Sequence, residues 1–263
     1  MTSPLVSVII PVYNDLPIHI QQSMDSIVNQ DYRNLEIIII DDSTDSSTIN
    51  AINTYLKDSR VLILREEKRL GLPKALNKGL SMAKGKYIAR ADADDIQALN
   101  RISLQIEFLE SHPSIGIVAS NVNYIDFDAN IIKTRIFPET DQDVRRYIHI
   151  RNPICNSVVT IRKEVLDRIG YYDVDFLRSE DYELWFRANA NGIRIYNLQE
   201  VLVNYRVANS VKRDSLNWQN TLKLKKKYFS MNYFFESLFG ILSVYLYVMT
   251  PKSVQNFIYK KLV

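Results

Sequence analysis

An α/β fold built on a mostly parallel sheet is predicted by three features of the sequence. Short β-branched runs recur through the first third of the chain. Segments of helical period separate them. Aspartates cluster where two of the runs end. The first run, Leu5 to Ile10, is stopped by Pro11 and reads as a buried strand. Pro17 to Gln30 has helical spacing at Ile18, Gln22 and Ile27, with proline in the first turn. Leu35 to Ile40 is a second strand and runs into Asp41-Asp42-Ser43-Thr44-Asp45. A helix follows through Ile49, Ile52 and Leu56, then a third strand from Arg60 to Leu64. Leu72 to Lys84 is predicted as a helix closed by Gly85. Lys86 to Ala91 is a fourth strand and ends in Asp92-Ala93-Asp94-Asp95. Strands this apolar are expected to be covered on both faces. Ligands of such sheets bind beyond the carboxyl ends of the strands, here an acidic rim.

The second half is less regular. Helices are predicted from Ala98 to Leu109 and from Ser179 to Asn191, the latter closed by Gly192. Strands are predicted from Ile115 to Tyr124 and from Val158 to Arg162, with a turn over Asp126 to Asn130. Ile193 to Val207 reads as two short strands, and the chain is helical from Ser215 onward.

Composition narrows the function classes. Hydrophobic residues are 46% and charged residues 24% of 263, as in an ordinary globular protein. That excludes a disordered chain, a collagen-like fibre and a coiled coil. The single Cys155 excludes a disulfide framework and a cysteine zinc cluster. His19, His112 and His149 leave little for a histidine-rich metal site. The net charge of +3 divides unevenly. Residues 212–263 hold nine Lys/Arg and two Asp/Glu, against 24 and 28 in the rest. A mildly acidic body is a poor nucleic-acid binder. A basic, apolar tail points to an anionic membrane surface. No signal peptide is visible, so the expected location is the cytoplasm.

Four constellations could carry chemistry. In an extended segment Asp92 and Asp94 point to one side. Two such carboxylates can hold Mg²⁺ or Mn²⁺ with positions left for phosphate oxygens. The plainer reading is a helix cap. The turn at Asp41 and Asp42 reads either as a helix-capping turn or as a contact to a nucleotide base. Pro11-Val12-Tyr13-Asn14 ends the first strand, and Tyr13 could stack on a planar base. Ser179 suits a helix N-cap, and Glu180 and Asp181 either favour the first turn or supply a general base.

In that order along the chain, these motifs resemble glycosyltransferase family 2, the inverting nucleotide-sugar transferases of GT-A fold. The resemblance runs from about residue 5 to residue 207. Leu70 to Leu80 is similar to the branch that builds bacterial O-antigens, capsules and exopolysaccharides, including amylovoran-type galactosyltransferases. The resemblance implies that Pro11, Val12, Tyr13, Asn14, Asp41 and Asp42 surround a nucleotide, most simply UDP, with Asp41 accepting from the uracil N–H. It implies that Asp94 binds Mn²⁺ or Mg²⁺, that Asp92 touches the ribose or the metal, and that Ala93 lies against the donor. Asp181 matches the catalytic base, with Glu180 holding an acceptor hydroxyl or sharing the role. Arg90 and Lys74 stand where a cation could meet the diphosphate or the donor sugar. Asn156 and Ala208 stand where relatives often carry histidine, and Ser43 where they carry glycine. The metal is therefore expected on Asp94, the diphosphate and water. The Gln-x-x-Arg-Trp motif of processive synthases is absent, which implies one sugar per binding event.

Two domains are expected: a GT-A transferase over residues 1–211 and a basic, apolar helical tail over 212–263. Lys223, Lys225, Lys226 and Lys227 precede an apolar run from Tyr233 to Met249. At 17 residues this run falls short of the ~20 that a spanning helix needs. It reads as an interfacial helix on the inner face of the cell membrane, a helix packed on protein, or a span. Peripheral attachment suits an acceptor glycan on a lipid carrier. A homo-oligomer is also possible. Other classes fit less well. A nucleotidyltransferase would need a basic, Gly-rich loop after the first strand, and a nicotinamide dehydrogenase a Gly-rich turn there. A non-catalytic GT-A subunit that binds a partner or glycan is the remaining alternative.

Overall fold

The computed structural model describes residues 3–207, 215–251 and 254–255. Strands β1 (Val6–Val12), β2 (Leu35–Asp41), β3 (Val61–Arg65) and β4 (Tyr87–Arg90) are parallel in the order β3-β2-β1-β4. Beyond β4 the sheet is mixed. It adds β5 (Ile96–Gln97), β6 (Ile115–Ile125), β7 (Ile131–Arg135), β8 (Thr160–Arg162) and β9 (Arg194–Arg206). The full order is β3-β2-β1-β4-β8-β6-β9-β5, with β7 paired to β6.

Alternation along β1 and β2 builds two cores. Ile10, Ile37 and Ile39 point toward α1 (Pro17–Val28), α2 (Ser46–Asn53) and α4 (Arg101–Ser111). Ile9, Ile38 and Ile40 point toward α3 (Leu72–Met82), α6 (Lys163–Ile169) and α7 (Glu180–Ala190). The register pairs Val12 with Asp41, so β1 and β2 end side by side at the rim.

Several expectations change in detail. β3 is only half covered, because it is the sheet edge. Helix α3 stops at Met82 with Ala83 as its cap. Gly85 instead lets β4 approach β1, since a Cβ there would lie 2.6 Å from the Ser7 backbone nitrogen. Gly192 does close α7 in the left-handed region, with φ of 73°. Residues 194–206 form one strand, not two. The break is a bulge, where Ser120 pairs with Leu198 but Asn121 with Val201. β5, β7, α5 (Asp141–Tyr147) and α6 are unheralded by any apolar period.

The tail folds onto the body. Helices α8 (Ser215–Lys227) and α9 (Phe234–Met249) pack together and against the segment after α5. Lys225, one of the four lysines before the apolar run, is buried at 3% exposure. Helix α9 inverts the usual amphipathic pattern. Ser237, Gly240 and Val244 face inward, while Phe235, Phe239, Leu246 and Met249 are 60–81% exposed. Sixteen residues at ~1.5 Å each reach about 24 Å, short of a ~30 Å hydrocarbon layer. Among the described residues no helix is long and apolar enough to cross a membrane. The boundary expected at 211/212 lies outside the described residues.

Gly240 is the contact that α9 depends on. A Cβ there would sit 1.9 Å from the His149 carbonyl oxygen, which is backbone and has little room to yield. Overpacking costs about 1–3 kcal/mol, more than the ~1 kcal/mol that alanine gains in a helix. Gly240→Ala is therefore expected to lower the melting temperature. An unchanged or higher value in thermal denaturation would place α9 away from that carbonyl.

Candidate active site

The ends of β1 and β2 form one unit. Asn14 is left-handed, with φ of 54°, and aims its side chain back at the second turn. Its Oδ1 accepts from the Thr44 and Asp45 amides at 2.9 and 3.0 Å, while its own amide donates to Ser43 Oγ. Asp45 then caps α2 by accepting from the Ser47 amide. Asp41 is fully buried. Its Oδ1 accepts from the Ser43 amide and its Oδ2 from Arg65 Nε at 2.9 Å. Asp42 Oδ2 accepts from the Leu70 and Gly71 amides and so fixes the entry to α3. The side chains of Asn14 and Asp42 thus carry loop bonds that shape this rim. Tyr13 stands at the rim, 37% exposed, with the Arg69 guanidinium 3.8 Å from its ring centre. Pro11 and Val12 line the same strand end, paired with Ile40 and Asp41.

The aspartate run after β4 is anchored from both sides. Ser23 Oγ on α1 donates to the Asp92 carbonyl at 2.8 Å. From the end of β9, Arg206 Nε donates to the Asp94 carbonyl at 2.9 Å, and the Arg206 amide to Asp95 Oδ1 at 2.8 Å. Ala93 and Asp95 turn inward, which leaves Asp92 and Asp94 half-buried and facing the rim. Asp95 Oδ2 is buried without a partner, and burial with the neighbouring Asp92 and Asp94 charges pushes its carboxyl well up. Burial, Asp92 and Asp15 push Asp94 up to about 7. Asp15, in the loop after Asn14, is pushed up to about 6, chiefly by burial, with Asp92 adding to it. Asp15 directly follows the strand-end motif Pro11 to Asn14, and only the fold brings it beside Asp92 and Asp94.

The second acidic pair opens α7. Ser179 holds the N-cap position but makes no capping bond. Glu180 is buried with Oε2 unpartnered, and burial followed by the Asp181 charge raises it to about 7. Burial raises Asp181 too, against the lowering effect of two donors. These are the Tyr182 amide at 2.7 Å and Asn152 Nδ2 at 2.8 Å. Asp181 keeps more solvent access than Glu180.

Arg90 and Tyr172 stand between the two pairs. Arg90 is 3% exposed, forms an ion pair with Asp92, and also lowers Glu180 and Asp181. Tyr172 lies within the fields of Arg90, Asp92, Glu180 and Asp181. It is held by Asn77 on α3 through bonds of 2.8 and 2.9 Å, and its hydroxyl donates to Asn156 Oδ1. Lys74 stands exposed on α3.

Asp92 and Asp94 suit a hard divalent cation. They offer carboxylate oxygens on one face, and crowding with Asp15 raises Asp94, which a bound cation would relieve. Among the described residues no group of three His, Cys, Asp or Glu could hold a metal. A cation here would complete its shell with ligand oxygens and water.

The chain is similar to known glycosyltransferases in sequence and in fold. The glycosyl transferase family 2 profile matches residues 7–170. The chain is 30% identical to the amylovoran biosynthesis glycosyltransferase AmsE of Erwinia amylovora, over 98% of each chain. It is 28% identical to the UDP-Gal:alpha-D-GlcNAc-diphosphoundecaprenol beta-1,3-galactosyltransferase of Escherichia coli, over 99% of this chain and 97% of that one. The S. aureus TarS crystal structure superposes with a TM-score of 0.66 at 20% identity, covering 84% of this chain and 39% of TarS. The mannosyltransferase PcManGT from Pyrobaculum calidifontis, solved with GDP-Man and Mn²⁺, superposes with a TM-score of 0.68 at 20% identity, over 94% and 71%. The fold is that of the GT-A glycosyltransferases, and the chain belongs to glycosyl transferase family 2.

Proposed function

We propose that this protein is an inverting, metal-dependent transferase. It moves one sugar from a UDP-sugar to a hydroxyl of a glycan carried on a lipid diphosphate, in bacterial-type surface polysaccharide assembly. The observation that carries the reading is the pair of acidic sites, Asp92/Asp94 and Glu180/Asp181, with Arg90 between them. The names of the amylovoran and undecaprenol-linked galactosyltransferase relatives support the acceptor class and the donor nucleotide.

A divalent cation on Asp94 and Asp92 would neutralise the leaving diphosphate. The remaining roles fall to the chain itself. Tyr13 stacks on the base, and Asp41, whose oxygens already accept from the Ser43 amide and Arg65, offers a remaining lone pair to its ring N–H. Pro11 lines the pocket, and Val12 and Ala93, both turned inward, back its wall. Arg90 forms an ion pair with Asp92, and Lys74 on the rim offers a positive charge to the donor. Asp181 removes the proton from the acceptor hydroxyl as that oxygen attacks the anomeric carbon from the face opposite the diphosphate. Glu180, with a buried unpartnered oxygen, holds its proton near neutral pH and steadies the acceptor.

The outward row of α9 supports a peripheral position on a membrane. Phe235, Phe239, Leu242, Leu246 and Met249 recur at helical spacing and are all exposed, with Lys226 and Lys227 on the adjoining helix. Burying each such side chain is worth about 1.5–3 kcal/mol. Phe239→Glu with Leu246→Glu should reduce flotation with phosphatidylglycerol vesicles at least tenfold, without altering the melting curve. Equal flotation would remove the lipid-facing role.

Calorimetric titration with UDP, GDP and dTDP, with and without Mn²⁺, tests the donor site. Mn²⁺-dependent UDP binding is expected, and Asp94→Ala should abolish it. Metal-independent binding that survives Asp94→Ala would refute the assignment. Asp181→Asn should leave UDP binding within about twofold and lower transfer by about 10²–10⁴-fold. Normal turnover in that variant would move the base to Glu180.

The raised acids predict a pH dependence with a definite sign. Asp94 ionises from 3.8 in the unfolded chain but at about 7 in the fold, and Asp15 at about 6. The cation-free fold therefore loses stability as pH rises through that interval. A cation needs the ionised form. Mn²⁺ should accordingly raise the melting temperature more at about pH 8 than at about pH 5. The reverse order in melting scans would exclude these carboxylates as its ligands.

A further inference from the structure

Helix α8 reaches into both segments that carry the second acidic site. Asn217 Nδ2 donates to the Arg178 carbonyl and Asn220 Nδ2 to the Leu177 carbonyl, at 2.5 and 2.9 Å. Arg178 is left-handed, with φ of 67°, two residues before Glu180. A non-glycine residue in that region carries strain of its own, so the surrounding bonds must hold it there. One turn further along α8, buried Lys225 Nζ donates to the His149 and Ile150 carbonyls at 2.6 and 2.9 Å. Tyr182, the residue after Asp181, donates its hydroxyl to the neighbouring Ile148 carbonyl. Two residues beyond Ile150, Asn152 Nδ2 meets Asp181 Oδ2 at 2.8 Å.

We propose that Asn152 is a positioning residue for Asp181, and that α8 is the brace holding the two in register by fixing carbonyls 149–150 and 177–178. This rests on reading Asp181 as the base. The Asn152 bond fixes which carboxylate oxygen is left for the acceptor. It also favours the ionised form, because a donor to a carboxylate stabilises its charge. The other titratable groups facing Asp181 are Arg90 on β4, Tyr172 after α6, and Glu180 and Tyr182 on α7. Changing Asn152 removes none of them, and Lys225 lies over the Tyr182 ring, 5.7 Å from its centre, a contact that Lys225→Arg keeps as a cation. A small misplacement of a base costs up to ~10²-fold in rate.

The test combines kinetics with hydrogen exchange on the full chain. Transfer is followed as UDP release from UDP-Gal, UDP-Glc and UDP-GlcNAc with a GlcNAc-diphospholipid acceptor. Asn152→Ala should lower kcat about tenfold or more, leave the donor KM within twofold, and move the acid limb of the kcat profile to higher pH. A residue that serves only folding would not move that limb. Lys225→Met should lower kcat in the same way, and Lys225→Arg should restore most of it. In Lys225→Met, amide exchange over 148–154 and 177–183 should rise while β1 and β2 stay protected. Wild-type kcat and an unmoved acid limb in Asn152→Ala would overturn the positioning role. Unchanged exchange at 177–183 in Lys225→Met would overturn the brace. If the wild-type chain releases no UDP with any donor, the transferase reading fails, and the exchange measurement still decides the brace.

Discussion

Arg90 is a full positive charge placed inside the sheet, and the site is arranged around it. At 3% exposure it has almost no water to solvate it, so its stability depends on nearby carboxylates. Asp92 meets it directly, and Glu180 and Asp181 feel it from the other side. The dependence is mutual. Asp94, Asp95 and Glu180 are raised by burial and by the carboxylates beside them, and one buried guanidinium offsets only part of that repulsion. On the proposed reading, the rim that would hold a cation and the pair that would accept a proton share one cleft with this charge between them. The cleft is left electronegative, which suits a divalent cation.

The scaffold follows from that requirement. Parallel strands bring chain ends to one edge, and the β1–β2 register sets Val12 beside Asp41. The mixed half brings a cation from a distance. Arg206 ends β9, more than a hundred residues from Asp94, and fixes the aspartate run through the Asp94 carbonyl and Asp95. Its guanidinium also donates to the Asp126 and Phe127 carbonyls and to Gln22 on α1. One arginine thereby ties three layers of the molecule to the rim.

The first half of the fold was legible because local signals agreed. Ile37 to Ile40 cannot be a solvated segment, and Pro11, Asp41 and Asp92 mark where the strands stop. Both acidic pairs were legible as motifs, and the fold does set Arg90 between them. What could not be read depends on contacts between distant segments. Helix α5 buries only Val144, so it shows no apolar period, although Thr140 caps it at the Asp143 amide. Nothing local distinguishes Lys225 from Lys226, yet one is buried against two carbonyls and the other is exposed. Nothing local marks Asn152 either, since its partner lies 29 positions away. Nor does the sequence disclose that the side chains of Asn14 and Asp42 also clip the loops at the strand ends.

The bonds from α8 bear on how such a chain can be recombined. A junction at the apparent domain boundary near residue 211 would look harmless, because every recognisable motif lies before it. It would nevertheless part the Glu180–Asp181 turn from the asparagines that hold its left-handed entry. Chimeras that exchange acceptor specificity between relatives therefore need residues 215–227 to travel with the first half of the chain. The exchangeable unit begins only after α8, at the turn into α9.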